Sequence, residues 1–267
     1  MRILIIGLGS MGRRHADILM KKGHEVYALR TGIGLGCTPE GVNEVRDFID
    51  ADIAYITNPT HLHISTAIQC AKRGMHLFIE KPIDVSTHRL DRLIEIVKEK
   101  KMVAYVAYPF RFHTGLDGLR SEIGGVEIVD IVCNTDYRKW QAYGVETHQR
   151  AHNGVLLELS HEIDIAQWFF GNITGIRGFF GDTTADLMLR CTLADNEIRV
   201  RLNMESPVED RFIAIDGMIY PYTADGTMFE HQTDYFLSCC VRPSWLINKL
   251  EDAADMFRRL IRFREES

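Results

Sequence analysis

Two side chains in this sequence stand where proton chemistry needs them, Lys81 and His161. Lys81 follows the apolar run Leu77–Ile79 across a single glutamate, Glu80. A short run that is apolar on both faces reads as an interior strand of a parallel sheet, and open α/β sheets bind ligands beyond the carboxyl ends of such strands. A lysine there hydrogen-bonds an oxygen on which negative charge develops. The competing reading is a surface lysine with a buried stem. His161 lies in Gly154–Phe170, whose Val155, Leu159, Ile163, Ala166 and Phe170 recur at helical spacing as one core stripe. Glu158, His161 and Asp164 step by threes along the other side, among Leu157, Ile165 and Trp168. Two carboxylates one turn either side of a histidine hold its tautomer and raise its basicity. A half-buried histidine in a structural network is an equal alternative on these residues alone.

A third group binds rather than reacts. Gly7-Leu8-Gly9-Ser10-Met11-Gly12 follows the apolar run Ile3–Ile6 and opens a helix. The first glycine makes the tight turn, the second admits a pyrophosphate to the backbone amides, and the third lets helix and strand pack closely. Ser10 and Met11 begin the helix, whose free amides and dipole favour phosphate. The acidic residue expected about 20 residues on, for a ribose hydroxyl, is missing. Arg30 and Thr31 stand at the end of the second strand instead. A guanidinium suits a 2′-phosphate, so the pair points to NADP, with NAD as the other possibility. A solvated Arg30, with a carboxylate arriving from elsewhere, is the alternative.

The elements that must position these groups change character along the chain. Up to residue 107, strands alternate with helices: Ile3–Ile6, helix Met11–Lys22, Glu25–Arg30, Ile53–Thr57, helix His61–Arg73, His76–Ile79, helix Val85–Lys100 and Val103–Ala107. Ser86 or Thr87 is the expected cap of the last helix. This alternation means a doubly wound parallel sheet. Thr31–Gly41, with its glycines and proline, predicts a loop-rich crossover. From residue 108 strands follow one another: Val126–Thr135, Gly175–Phe180, Ala185–Cys191, Ile198–Met204 and Arg211–Ile215, with helices Gly115–Ile123, Gly154–Phe170, Phe229–Cys239 and Pro243–Phe263. That pattern predicts a second, α+β domain over 108–267 with a mostly antiparallel sheet.

Composition narrows the function. There are 267 residues, 31 basic and 37 acidic, net charge −6, with 46% hydrophobic residues. Nucleic acid is disfavoured as a partner, because no cationic surplus exists to meet phosphates. No apolar run approaches the ~20 residues that span a bilayer, and the opening Met1-Arg2 leads straight into a strand, so a cytoplasmic protein is expected. The six cysteines form no Cys-x-x-Cys pair and have no histidine at metal spacing, so no metal site is expected.

The motifs, taken in order, resemble a known family. They are Gly7–Gly12 continuing as Arg13-Arg14-His15, then Thr57-Asn58-Pro59-Thr60-His61-Leu62-His63, Glu80-Lys81-Pro82, and Leu157-Glu158-Leu159-Ser160-His161-Glu162-Ile163-Asp164. Together they resemble the glucose–fructose oxidoreductase / inositol dehydrogenase / MocA family. The resemblance implies a Rossmann domain over 1–107 and a nicotinamide-dependent dehydrogenase or reductase acting on a sugar-like hydroxyl or carbonyl. By the family pattern Thr57, Asn58, Pro59 and His63 lie along the cofactor with Glu80. Lys81 then reaches the reacting oxygen and His161 exchanges its proton, with Asp164 and Glu158 beside it. The His-Glu-Ile-Asp segment looks most like members serving surface-glycan or nonulosonic-acid metabolism. Glu158 departs from the family, where many members carry an aspartate four residues before the histidine. Tyr108, Arg111, Tyr137 and Trp140 are candidate substrate contacts, with His113, Arg138 and Lys139 close behind; exposed cations and packed aromatics explain them equally well. Relatives pair through the sheet of the second domain, so a homodimer or homotetramer is expected, with Arg211–Ile215 or its neighbours in the interface. The competing function is a catalytically idle dinucleotide-binding sensor or scaffold, for which Lys81 and His161 have no chemical use.

Overall fold

The computed structural model describes residues 1–30, 37–123, 128–138, 154–242 and 249–267. The chain divides into two units, 1–107 with 232–255, and 108–231 with 256–267.

In the first unit, β1 (Arg2–Ile6), β2 (Glu25–Leu29), β3 (Asn43–Val45), β4 (Ile53–Ile56), β5 (His76–Glu80) and β6 (Ala104–Ala107) form one sheet in the order β3-β2-β1-β4-β5-β6. Every pairing in it is parallel. β1, β4 and β5 bury nearly every side chain, because helices cover both faces. Those helices are α1 (Ser10–Lys21), α2 (His63–Lys72) and α3 (Leu90–Glu99). The strand order reverses direction between β1 and β4, the place where such sheets open a ligand crevice at their carboxyl ends.

Three details differ from the sequence reading. The crossover after β2 carries the short edge strand β3. The helix expected from Val85 starts only at Leu90, with neither Ser86 nor Thr87 as its cap. Residues 81–89 are instead held in a turn, where the Asp84 carboxylate accepts from the backbone N–H of Ile64 and of Val85. Finally, 232–255 belongs with the first unit rather than with the rest of 108–267. Phe236 explains this, because its ring packs against Tyr55, Phe78 and Tyr105 of the parallel sheet.

The second unit contains α4 (Thr114–Glu122), β7 (Val129–Asp136), α5 (Gly154–Glu158), α6 (Ser160–Phe170), β8 (Ile173–Phe180), β9 (Thr184–Cys191), β10 (Ile198–Asn203), β11 (Glu205–Ile215) and β12 (Met218–Pro221). The helix α7 (Gly226–Val241) begins in this unit, and most of α8 (Leu250–Glu266) belongs to it. The strands order as β12-β11-β7-β10-β9-β8. Only the β7–β10 pairing is parallel, so the sheet is mixed and mostly antiparallel. Strict alternation sends Leu187, Leu189, Val200 and Leu202 inward against α6, while Asp186 and Arg199 pair at 2.6 Å on the other face. The single helix expected over Gly154–Phe170 is broken at Leu159, whose φ of −100° and ψ of 31° leave the helical region. Buried polar contacts of α6 set its direction, as described below. No helix among the described residues is long and apolar enough to cross a membrane.

Candidate active site

In the first unit, three neighbouring strands present their carboxyl ends together. β1 leads into the glycine loop, β4 into Thr57-Asn58-Pro59, and β5 into Glu80-Lys81-Pro82. The loop is built as its sequence requires. Gly7 has φ +96°, and a Cβ there meets Asn58 Cα at 2.7 Å. A Cβ on Gly12 meets the Gly7 carbonyl oxygen at 2.0 Å, so helix and turn touch as only glycine allows. A Cβ on Gly9, by contrast, meets nothing within 4 Å. The backbone in front of α1 is thus open on the side from which a pyrophosphate approaches, and the first turn of α1 supplies amides to it. These residues fit a dinucleotide.

Thr57 and Asn58 shape this edge from within. The Thr57 hydroxyl lies 3.1 Å from the Ile6 carbonyl oxygen and 2.6 Å from that of Gly7, and fixes the turn. The buried Asn58 side chain donates to Thr66 Oγ1 at 2.9 Å. Pro59 is exposed, and Ser10 and Met11 are half-exposed in the first turn of α1. His63 is only 2% exposed and bridges two backbone carbonyls, with Nε2 at 2.8 Å from Asn58 O and Nδ1 at 2.9 Å from Pro82 O. Both partners are acceptors, so the single N–H of a neutral ring donates to one of the two carbonyls, inside the unit. Burial pulls its pKa below the ordinary imidazole value, against the pull of the two carbonyls and of Glu80 and Asp84. Glu80 is buried too, its carboxylate 2.8 Å from His15 Nε2. Lys81 sits between these anchored neighbours, half-exposed, at a cis bond to Pro82.

At the far end of the sheet, the Arg30 guanidinium lies 3.4 Å from the Thr38 hydroxyl and 3.5 Å from the Glu44 carboxylate on β3. Thr38 hydrogen-bonds Glu44 in turn. The Thr38 hydroxyl and, after it, Arg30 hold the Glu44 carboxyl below its usual range. Glu44 thus pairs with Arg30, and no spacing rule pointed to that partner. Thr31 lies outside the described residues.

In the second unit, His161 sits in the first turn of α6 with its ring edge-on to Tyr108 and Phe110, at centroid distances of 5.8 and 5.3 Å. Tyr108 is buried, and that burial raises its pKa. Asp164, 1% exposed, is gripped by Arg111 through two bonds, Nη2 to Oδ1 at 2.7 Å and Nε to Oδ2 at 2.9 Å. Burial pushes the Asp164 carboxyl up, and the guanidinium opposes that shift. The fork pairs two of the expected site residues, Asp164 and Arg111, with each other. Glu162, which sequence reasoning passed over, is fully buried, 3.5 Å from Arg211 Nε and 3.4 Å from the Tyr222 hydroxyl. Arg211 also lies over the Phe110 ring at 5.3 Å. Glu158 ends α5, across the break at Leu159 from His161, and Tyr137 is half-exposed with its amide bonded to Met204 O. Trp140 and Lys139 lie outside the described residues. Among the described residues no cluster of histidine, cysteine and acidic side chains fits a metal ion.

Comparison with known proteins agrees with this geometry. Residues 34–108 match the GFO_IDH_MocA model, an oxidoreductase family with an NAD-binding Rossmann fold. The chain is 25% identical over 189 residues to myo-inositol 2-dehydrogenase of Thermotoga maritima, covering 64% of this chain and 55% of that protein. It is 25% identical over 193 residues to scyllo-inositol 2-dehydrogenase (NAD(+)) of Bacillus subtilis, covering 66% and 56%. It therefore spans little more than half the length of these curated relatives. Its fold is similar to the crystal structure of the WlbA (WbpB) dehydrogenase of Thermus thermophilus in complex with NAD and UDP-GlcNAcA. The TM-score is 0.81 at 20% identity, over 99% of this chain and 94% of that one.

Proposed function

We propose that this chain, which matches the GFO_IDH_MocA oxidoreductase model over residues 34–108, is a member of that family and a nicotinamide-dependent oxidoreductase acting on a CH–OH or carbonyl carbon of a sugar or polyol. The observation that carries this reading is the arrangement at one sheet edge. An open glycine loop, the Asn58-Pro59 turn and Lys81 leave three adjacent strands at their carboxyl ends. When bound, a nicotinamide supplies the hydride chemistry; the protein must hold the substrate and manage one proton on its oxygen. We assign that proton to His161 and the stabilisation of the charge forming on oxygen to Lys81. Reduction reverses both roles. The names of the relatives, which act on cyclic polyols, and a similar fold solved with a nucleotide-linked sugar acid support the substrate class and a place in surface-glycan or nonulosonic-acid metabolism. We place the chain in the cytoplasm, where its six free cysteines stay reduced. We also propose a homodimer or homotetramer through the second unit's sheet, where Phe179 and Val208 are exposed apolar side chains. Light scattering at micromolar concentration tests this, and a monomer refutes it.

Arg30 remains the residue that favours NADP, but Glu44 competes for it. A 2′-phosphate must displace the Glu44 carboxylate from the guanidinium or share it. Glu44→Gln is expected to tighten NADP by about two- to fivefold relative to NAD, the scale of an exposed ion pair. Arg30→Ala is expected to weaken NADP by about ten- to a hundredfold, the scale of a charge-assisted phosphate contact. Titrating both dinucleotides by protein fluorescence reads these ratios. An Arg30→Ala protein with an unchanged NADP to NAD ratio removes Arg30 from cofactor choice.

A further inference from the structure

Lys81 lies in a turn whose backbone is anchored before and after it by side chains that the proposed chemistry does not use. Before it, Glu80 accepts from His15 Nε2 at 2.8 Å. After it, the Pro82 carbonyl faces His63 Nδ1 at 2.9 Å, and Asp84 accepts from the amide of Ile64 in the first turn of α2. His15 comes from α1, the helix that the glycine loop opens, and its ring packs against Tyr55 and Phe78 with centroids 5.2 and 4.9 Å away. His15 Nδ1 is buried with no partner among the described residues, so the ring's polar contact there is Glu80. His63 from α2 lies between the Pro82 carbonyl and the Asn58 carbonyl, the latter 2.8 Å from Nε2, and the single N–H of its neutral ring ties one of them to α2.

We propose that His15 and His63 are positioning residues for Lys81, His15 acting through the Glu80 carboxylate and His63 through the Pro82 carbonyl. Stability alone gives little reason for the first pair. A buried histidine and carboxylate in an aromatic core can commonly be replaced by apolar side chains of similar size without loss. What the pair does provide is a fixed place for the residue between Glu80 and Pro82. A lysine amine stands four methylenes from its backbone, so any freedom of that backbone is magnified at the reacting oxygen. A displacement of about 1 Å is enough to lower a rate by about a hundredfold.

This inference rests on the assignment of Lys81 to catalysis, and the experiment separates the two. His15→Ala, His15→Gln, His63→Ala and the paired exchange His15→Phe with Glu80→Leu are compared with Lys81→Met, in the full chain with dinucleotide and substrate. Thermal unfolding and dinucleotide affinity are measured beside turnover. The two alanine variants and the apolar exchange are expected to lose roughly ten- to a hundredfold in kcat. His15→Gln, which keeps an N–H for Glu80, is expected to recover most of that loss. The apolar exchange is expected to unfold at or above the temperature of the unaltered protein, so that its lost turnover is not lost stability. Folded variants that turn over at the unaltered rate overturn the proposal. So does a loss in His15→Ala that the glutamine fails to restore and that tracks melting temperature across the series. If Lys81→Met itself turns over normally, the catalytic assignment has failed, and this proposal falls with it.

Discussion

Lys81→Met is expected to lower turnover by about 10²–10⁴-fold, the range of a positioned acid–base group. Dinucleotide affinity is expected to stay within a few-fold, because the pyrophosphate site belongs to the glycine loop and α1, on another strand. Methionine keeps the apolar stem and removes only the ammonium, so the loss reports on the charge held against the oxygen. His161→Ala is expected to fall in the same range. The double variant is expected to lose far less than the product of the two, since groups acting on one proton transfer are not additive. Steady-state kinetics of the four proteins decides this. A product of independent losses separates the two residues into different steps, and a fully active Lys81→Met removes the mechanism.

Arg111→Ala is the second large effect, and it falls on stability. Asp164 is buried and takes both hydrogen bonds of the Arg111 fork. Removing the guanidinium leaves a buried carboxylate without its counter-ion, a change that destabilises proteins by about 3–5 kcal/mol. Arg111→Ala is therefore expected to melt well below the unaltered protein. Arg111→Ala with Asp164→Asn is expected to regain part of the loss, because no buried charge remains. Denaturant unfolding measures both. If Arg111 served mainly to bind substrate, the single variant would keep its stability and raise KM alone.

The residues that were legible in the sequence are those whose role is set by a few neighbours in the chain. Gly7, Gly9 and Gly12 announce the loop because a turn, an approach and a close packing each demand glycine at a fixed step. Lys81 is placed by the apolar strand before it, and the parallel order follows from strands alternating with helices. What the sequence hid are pairs made across long separations. Arg111 meets Asp164 from 53 residues away and His15 meets Glu80 from 65, and nothing in local spacing marks either partner. Helical periodicity put Glu158, His161 and Asp164 on one continuous face, but the backbone turns out of the helix at Leu159. Buried contacts of Glu162 and Asp164 then orient α6 separately. Periodicity locates a helix's apolar stripe and is silent about such ties. Glu44 was missed for the same reason, since it reaches Arg30 from a separate edge strand.

The central claim is that this chain transfers hydride between a nicotinamide and a sugar-like carbon, using Lys81. The most direct measurement follows reduced-nicotinamide absorbance while inositols, sugars and nucleotide-linked sugars are offered in turn with NAD and with NADP, in the unaltered protein and in Lys81→Met. The account predicts substrate-dependent reduction by the unaltered protein with at least one polyol or sugar, and its near-abolition in Lys81→Met at unchanged dinucleotide affinity. Dinucleotide binding with no turnover on any of these substrates, and no difference between the two proteins, would contradict it and leave a sensor or scaffold.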